Sequence, residues 1–246
     1  MPLAGEVGPA RVLLVLGSAS PARARLLRDA GIAPVIHTSR VDEEALIAAT
    51  DGPAEDGLGH HAPARDARVE DAPVDEARAL TQMLATAKAR DVAAQVRAGD
   101  VPTVPAGSVD RVLVLGADSM LAFGGRILGK ASTGQAVRER WAAMAGRSGV
   151  LVTGHSVIDV DGGRMVERTV ATTIRFGRPD AVELESYIAS GEPLAVAGSC
   201  TIDGLGGPFI DGVDGDHTNV IGLALPTLRA MVGELGVRWT GLWSTT

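Results

Sequence analysis

The chain reads as an α/β protein built on a mixed sheet with flanking helices, and three features of its sequence predict this. A short apolar run, VLLVL at 12–16, leads straight into a proline-led helix signal. A long stretch of helical spacing over 75–97 precedes a second apolar run at 112–115. Two long β-patterned stretches, 150–160 and 164–176, meet at Asp161-Gly162-Gly163, a strong hairpin signal. Helices interleaved with the first strands favour parallel pairing, and the hairpin adds antiparallel pairing, so the sheet is expected to be mixed.

The elements follow in order. After the 12–16 strand and Gly17, Ser20 stands before Pro21, the arrangement of an N-cap with proline in the first helical turn. Leu26, Leu27 and Ala30 give that helix an apolar face, and Gly31 is placed to end it. A strand is expected from Pro34, closing on the acidic cluster Asp42-Glu43-Glu44. Residues 50–73 are rich in Asp, Gly, Pro, Ala and His with almost no large apolar side chain, and read as a flexible insertion. The 75–97 helix carries Leu80, Met83, Leu84 and Ala87, and a second loop insertion is expected over 99–110. The 112–115 strand runs into Gly116-Ala117-Asp118. Ser132 or Thr133 then caps a helix bearing Val137, Trp141 and Met144. Beyond the hairpin, a helix begins at Pro179, 196–213 reads as short strands and glycine turns, and a last helix starts near Pro226. There is no internal repeat, and the whole of 1–246 is expected to form a single domain.

Composition excludes several classes of function. The 246 residues are 46% hydrophobic and 22% charged, an ordinary globular balance, but only 3% aromatic, too few rings for a single-strand nucleic-acid platform. A formal net charge of −7 also argues against nucleic acid, although a few cations and a metal in one cleft still suit a small polyanion. One cysteine, Cys200, excludes an intrachain disulfide and reads as a buried structural thiol. No apolar run approaches the roughly 18–20 residues that span a bilayer. No signal peptide is expected at the N-terminus, so no membrane partner and a cytoplasmic location are expected.

Three groups of residues are candidates for chemistry. Ser18, Ser20 and Arg23 sit on a strand-to-helix turn, where free backbone N–H groups and the helix dipole favour phosphate oxygens. Taken alone, Ser20 reads first as an ordinary cap and Arg23 as a solvated first-turn cation. Asp118 lies just past an apolar strand, where α/β sheets place ligands; its carboxylate suits Mg²⁺ or Mn²⁺ or a water proton, and Lys130 suits a phosphate. The chain has only two lysines, Lys88 and Lys130, every other basic side chain except histidine being arginine. The acidic cluster at 42–44 reads either as a helix N-terminus or as a second source of metal ligands. His60 and His61, in the low-complexity insertion, lack the partners of a metal site.

In order along the chain, LVLGSASPARARLL (14–27), VDEE (41–44), ATAKA (85–89), LGADSM (115–120), ILGKAS (127–132), TGHSVI (153–158), SGEPLAVAGSCTIDGLGG (190–207) and GDHTNVIGL (215–223) resemble the Maf family of nucleoside triphosphate pyrophosphatases. The resemblance covers nearly the whole chain apart from the two insertions and the tails. It implies an elongated, two-lobed fold similar to that of the inosine triphosphatases, with a central cleft, commonly as a homodimer. It also implies hydrolysis of a nucleoside triphosphate substrate to the monophosphate and pyrophosphate. By the same resemblance, Ser18, Ser20 and Arg23 bind phosphate, Lys88 and Lys130 stabilise charge on the triphosphate, and Glu43 and Asp118 hold the metal. Asp118 also orients or deprotonates the attacking water.

Three departures qualify it: Ala22 replaces the first arginine of Ser-Pro-Arg-Arg, Val196 replaces a lysine, and Asp203 stands where glutamine is usual. An ionised aspartate only accepts hydrogen bonds, so base preference does not carry over, and Asp203 joins the substrate-binding candidates with metal binding as its other reading. The competing expectations are a regulatory protein of septum formation and a nucleotide sensor without turnover.

Overall fold

The computed structural model describes residues 11–49, 74–101 and 109–244, so the insertion expected at 50–73 and most of that at 99–110 lie outside the described residues. Seven strands form one sheet in the order β2-β1-β3-β5-β6-β7, with β4 paired to β3. β1 (Val12–Leu16) runs parallel to β2 (Val35–Ile36) and to β3 (Arg111–Phe123). β4 (Arg126–Leu128), β5 (Ser148–Asp159), β6 (Met165–Phe176) and β7 (Ile210–Asp214) are joined antiparallel. The mixed sheet with flanking helices is thus as expected.

Alternation along β1 and β3 sorts the helices onto two faces. Leu14, Leu16, Leu113 and Leu115 face α1 (Pro21–Asp29) and α7 (Leu225–Glu234), where Leu27, Leu228 and Met231 complete one core. Val15, Val112 and Val114 face α3 (Val74–Ala98) through Ala89, Val92 and Ala93. Further along the sheet, Leu121 and Phe123 meet α4 (Gly134–Met144) and α5 (Ala181–Ala189). All three phenylalanines and the only tyrosine belong to this third cluster, packed with Trp141. Trp141 makes edge-to-face contacts at 5.9 Å with Phe176, 6.4 Å with Tyr187 and 6.0 Å with Phe209, so the scarce rings are concentrated in one place.

β3 is longer than the 112–115 strand expected from the sequence, and Asp118 lies inside it rather than past its end. Inside that strand, the missing side chain of Gly116 serves tertiary packing. A Cβ there would lie 2.1 Å from the carbonyl oxygen of Ala85 on α3. Gly154 repeats the device on β5, with a Cβ position 2.3 Å from the carbonyl of Thr81, and it is the register partner of Asp118. Two glycines and the small buried residues Ala77, Thr81, Ala85 and Ala89 let the helix backbone lie close on the sheet. That approach brings Lys88, on the same helix, over Asp118.

The acidic cluster begins α2 (Glu43–Ala48), with Asp42 as N-cap accepting from Ala45 N at 3.0 Å. Most of 196–213 is turn rather than strand: only β7 forms, preceded by a 3-10 turn at Gly207–Phe209. α6 (His217–Ile221), a helix of five residues, is too short to show a period in sequence. Among the described residues no helix is long and apolar enough to cross a membrane.

Candidate active site

The site grows from the β1–α1 turn. Gly17 N donates to Leu115 O at 2.8 Å, tying the turn to β3 just before Ala117 and Asp118. Ser18 is buried, its Oγ accepting from Ser20 N at 3.2 Å, while Ser20 caps α1 by accepting from Arg23 N at 3.4 Å. Pro21 fills the first helical position of α1.

Arg23 turns inward. Its Nε donates to Gly222 O at 2.7 Å, Nη1 to Ser18 Oγ at 3.0 Å and Ala117 O at 2.9 Å, and Nη2 to Ser119 Oγ at 2.9 Å. Four of the five guanidinium N–H groups are therefore spent on protein acceptors, a correction to the reading of Arg23 as a solvated first-turn cation. Burial lowers its pKa, opposed by the charges of Asp118 and Glu43. Its side chain fills the gap between the α1/α7 core and the aromatic cluster, where β3 presents Ala117 and Ser119.

Lys88, Asp118 and Glu43 come together. Lys88 Nζ donates to Asp118 Oδ1 and to Glu43 Oε1, each at 2.7 Å. The Lys88 and Asp118 side chains are only 10% and 12% exposed, whereas Glu43 is 50% exposed, so one carboxylate is fixed and the other is open to water. Two carboxylates sharing one ammonium offer hard oxygen ligands of the kind Mg²⁺ and Mn²⁺ take, with water and phosphate completing the sphere. Among the described residues no group of three or more His, Cys, Asp or Glu forms an all-protein cage. The two carboxylates fit part of the oxygen sphere of a divalent ion.

Lys130 and Asp203 make other contacts. Lys130 is exposed and forms a β-bridge with Ala197, at the start of the glycine-rich segment. Asp203, farther along that segment, is paired with Arg25 of α1 at 3.1 Å. This pair takes up an Asp203 oxygen and places a cation one helical turn beyond Ala22. Arg25 and Ser119 were not singled out in the sequence. Ser119 follows Asp118 on the opposite face of its strand, which alternation could have flagged; Arg25 and Asp203 lie 178 residues apart and leave no local signal.

His155 supports the site from behind. Its Nε2 accepts from Ala224 N at 3.0 Å and its Nδ1 faces Arg168 O at 3.3 Å, so the neutral ring donates through Nδ1 and ties β5 to the start of α7. Burial pushes its pKa down to about 4, with the Arg168 carbonyl and Asp216 acting upward and Arg23 downward. The folded pKa lies below that of the unfolded chain, so this contribution is complete above about pH 6.5 and is lost as pH falls toward 4. Chemical denaturation between pH 7 and 4 is expected to show about 3 kcal/mol of acid destabilisation from this residue. A His155→Gln variant should lack most of that slope; an unchanged slope would remove His155 as its source. Cys200, half-buried, has its thiol pushed up to about 12 by burial first and Glu192 second, a poor nucleophile.

The fold is that of an α/β protein with a mixed sheet and a buried lysine shared by two carboxylates, Glu43 and Asp118. A family model described as Maf-like protein matches residues 13–235, and the chain belongs to that family. It is 46% identical over 231 residues to a nucleoside triphosphate pyrophosphatase of Streptomyces coelicolor, covering 94% of each chain. It is 45% identical to one of Nocardia farcinica, covering 94% of this chain and 96% of that protein. Against one of Saccharopolyspora erythraea the identity is 46%, with coverage of 93% and 96%.

Proposed function

We propose that this chain hydrolyses nucleoside triphosphates to the monophosphate and pyrophosphate, using Mg²⁺ or Mn²⁺ held by Glu43 and Asp118. The observation that carries the reading is the Glu43–Lys88–Asp118 cluster. When bound, the ion supplies Lewis-acid polarisation of phosphate oxygens. Asp118 accepts the proton of the attacking water as the anhydride bond between the α and β phosphates breaks. Lys88, held between two carboxylates, orients Asp118 and offsets charge on the triphosphate, and Lys130 meets the phosphates. The backbone N–H groups and hydroxyls of the Ser18–Ser20 turn bind phosphate, while Arg23 fixes that turn. Phosphoryl transfer of this kind depends on positioning and charge more than on covalent help.

The test is release of pyrophosphate and monophosphate in equal amounts from a panel of common and modified nucleoside triphosphates. Turnover is expected with Mg²⁺ or Mn²⁺ and should vanish with chelator. No turnover of any nucleotide under either metal would favour the sensor or the septum-regulator reading. The reading extends to a homodimer, supported by the family resemblance, and to the cytoplasmic location expected from the sequence; a monomer mass by light scattering would remove the dimer from it.

A further inference from the structure

Lys130 is one of only two lysines, and its backbone is held more elaborately than its exposed position requires. Arg140, on α4, donates from Nη1 to Gly129 O at 2.7 Å and to Ser199 Oγ at 3.1 Å, and from Nη2 to Lys130 O at 3.2 Å. The neighbouring Trp141 donates from Nε1 to Ser199 O at 3.0 Å, and Gly198 N donates to Gly129 O at 3.2 Å. The 129–130 turn and the 197–199 turn are thus clamped together around one guanidinium.

The clamp closes on an unusual backbone. Ser199, fully buried, has φ +55°, the only left-handed non-glycine residue among those described. Gly198 before it has φ +71°, and a Cβ there would lie 2.6 Å from Leu121 Cδ2. A non-glycine residue persists in that region only where its surroundings over-determine it, and such strain gathers at functional sites. Burial and the charge of Arg126 both lower the pKa of Arg140, so a cation here is not explained by its own comfort.

We propose that Arg140 is the positioning residue for Lys130, fixing the 129–130 backbone against the Ser199 turn so that the lysine's flexible stem delivers its ammonium to the triphosphate. An exposed lysine is a point charge on four carbons, so where its Cα is fixed decides what it reaches. The inference rests on the pyrophosphatase reading of this site.

The experiment is a double-mutant cycle on pyrophosphate release with Arg140→Met, Lys130→Met and the pair, with melting temperatures measured alongside. Arg140→Met is expected to lower kcat about 10- to 100-fold with KM little changed. In the Lys130→Met background it should add nothing beyond about twofold. Arg140→Lys, which keeps the charge but loses the fork, should resemble Arg140→Met and carries the cycle if the methionine variant does not fold. An equal loss in both backgrounds, no loss at all, or full activity in Arg140→Lys would overturn the proposal. Absence of wild-type turnover would instead sink the pyrophosphatase reading, and the inference with it.

Discussion

Asp118→Asn is expected to lower kcat for pyrophosphate release by about 10²–10⁴-fold while leaving the chain folded. The substitution keeps the size of the side chain and an oxygen that accepts from Lys88, but removes the charge and the capacity to take a proton. Lys88 retains Glu43 at 2.7 Å, so its ammonium is not left unpaired. The stability cost should stay near 1.5–3 kcal/mol, about that of one charge-assisted hydrogen bond. Exposure separates the two carboxylates: Glu43, half exposed on α2, can be replaced by Gln with a smaller loss, seen chiefly as a raised metal requirement. Measuring kcat and KM across metal concentrations for both variants assigns the roles. Near-normal turnover in Asp118→Asn would take the water-activating step away from this residue.

The parts of the molecule that were legible in the sequence are those whose causes are local. VLLVL marks β1, Ser20-Pro21 marks the start of α1, and the Asp161-Gly162-Gly163 hairpin separates β5 from β6, because a period or a turn residue carries each signal within a few positions. Gly116 has a cause that is not local: only the proximity of the Ala85 carbonyl shows why a side chain is absent there. The residues of the candidate site were nominated by type and by resemblance, but their directions were not legible. Nothing local says that Lys88 points between two carboxylates from elements 30 and 45 residues away, nor that Asp203 meets Arg25 across 178 residues. The clamp on Ser199 likewise depends on α4 packing beside a turn far along the chain. Local periodicity identifies faces; which face closes on which residue is settled by packing.

Arg23 makes the difference measurable. Replacing it with Met would leave Ala117 O and Gly222 O, which it now bonds at 2.9 and 2.7 Å, without that donor in a buried setting. The expected cost is about 3–5 kcal/mol, lowering the melting temperature by roughly 6–20 °C for a chain of this size. Arg23→Lys should fare little better, since one ammonium cannot span acceptors on the β1–α1 turn, β3 and the end of α6 together. Activity should fall with stability, because Ala117 and Ser119, both held by Arg23, flank Asp118. Direct phosphate binding makes the opposite pattern: stability near that of the wild type and a raised KM. An Arg23→Lys protein that melts like the wild type while its KM rises would return Arg23 to the phosphate and remove it from the scaffold. A joint loss of melting temperature and kcat would establish that this arginine serves the chemistry by holding the strand on which Asp118 stands.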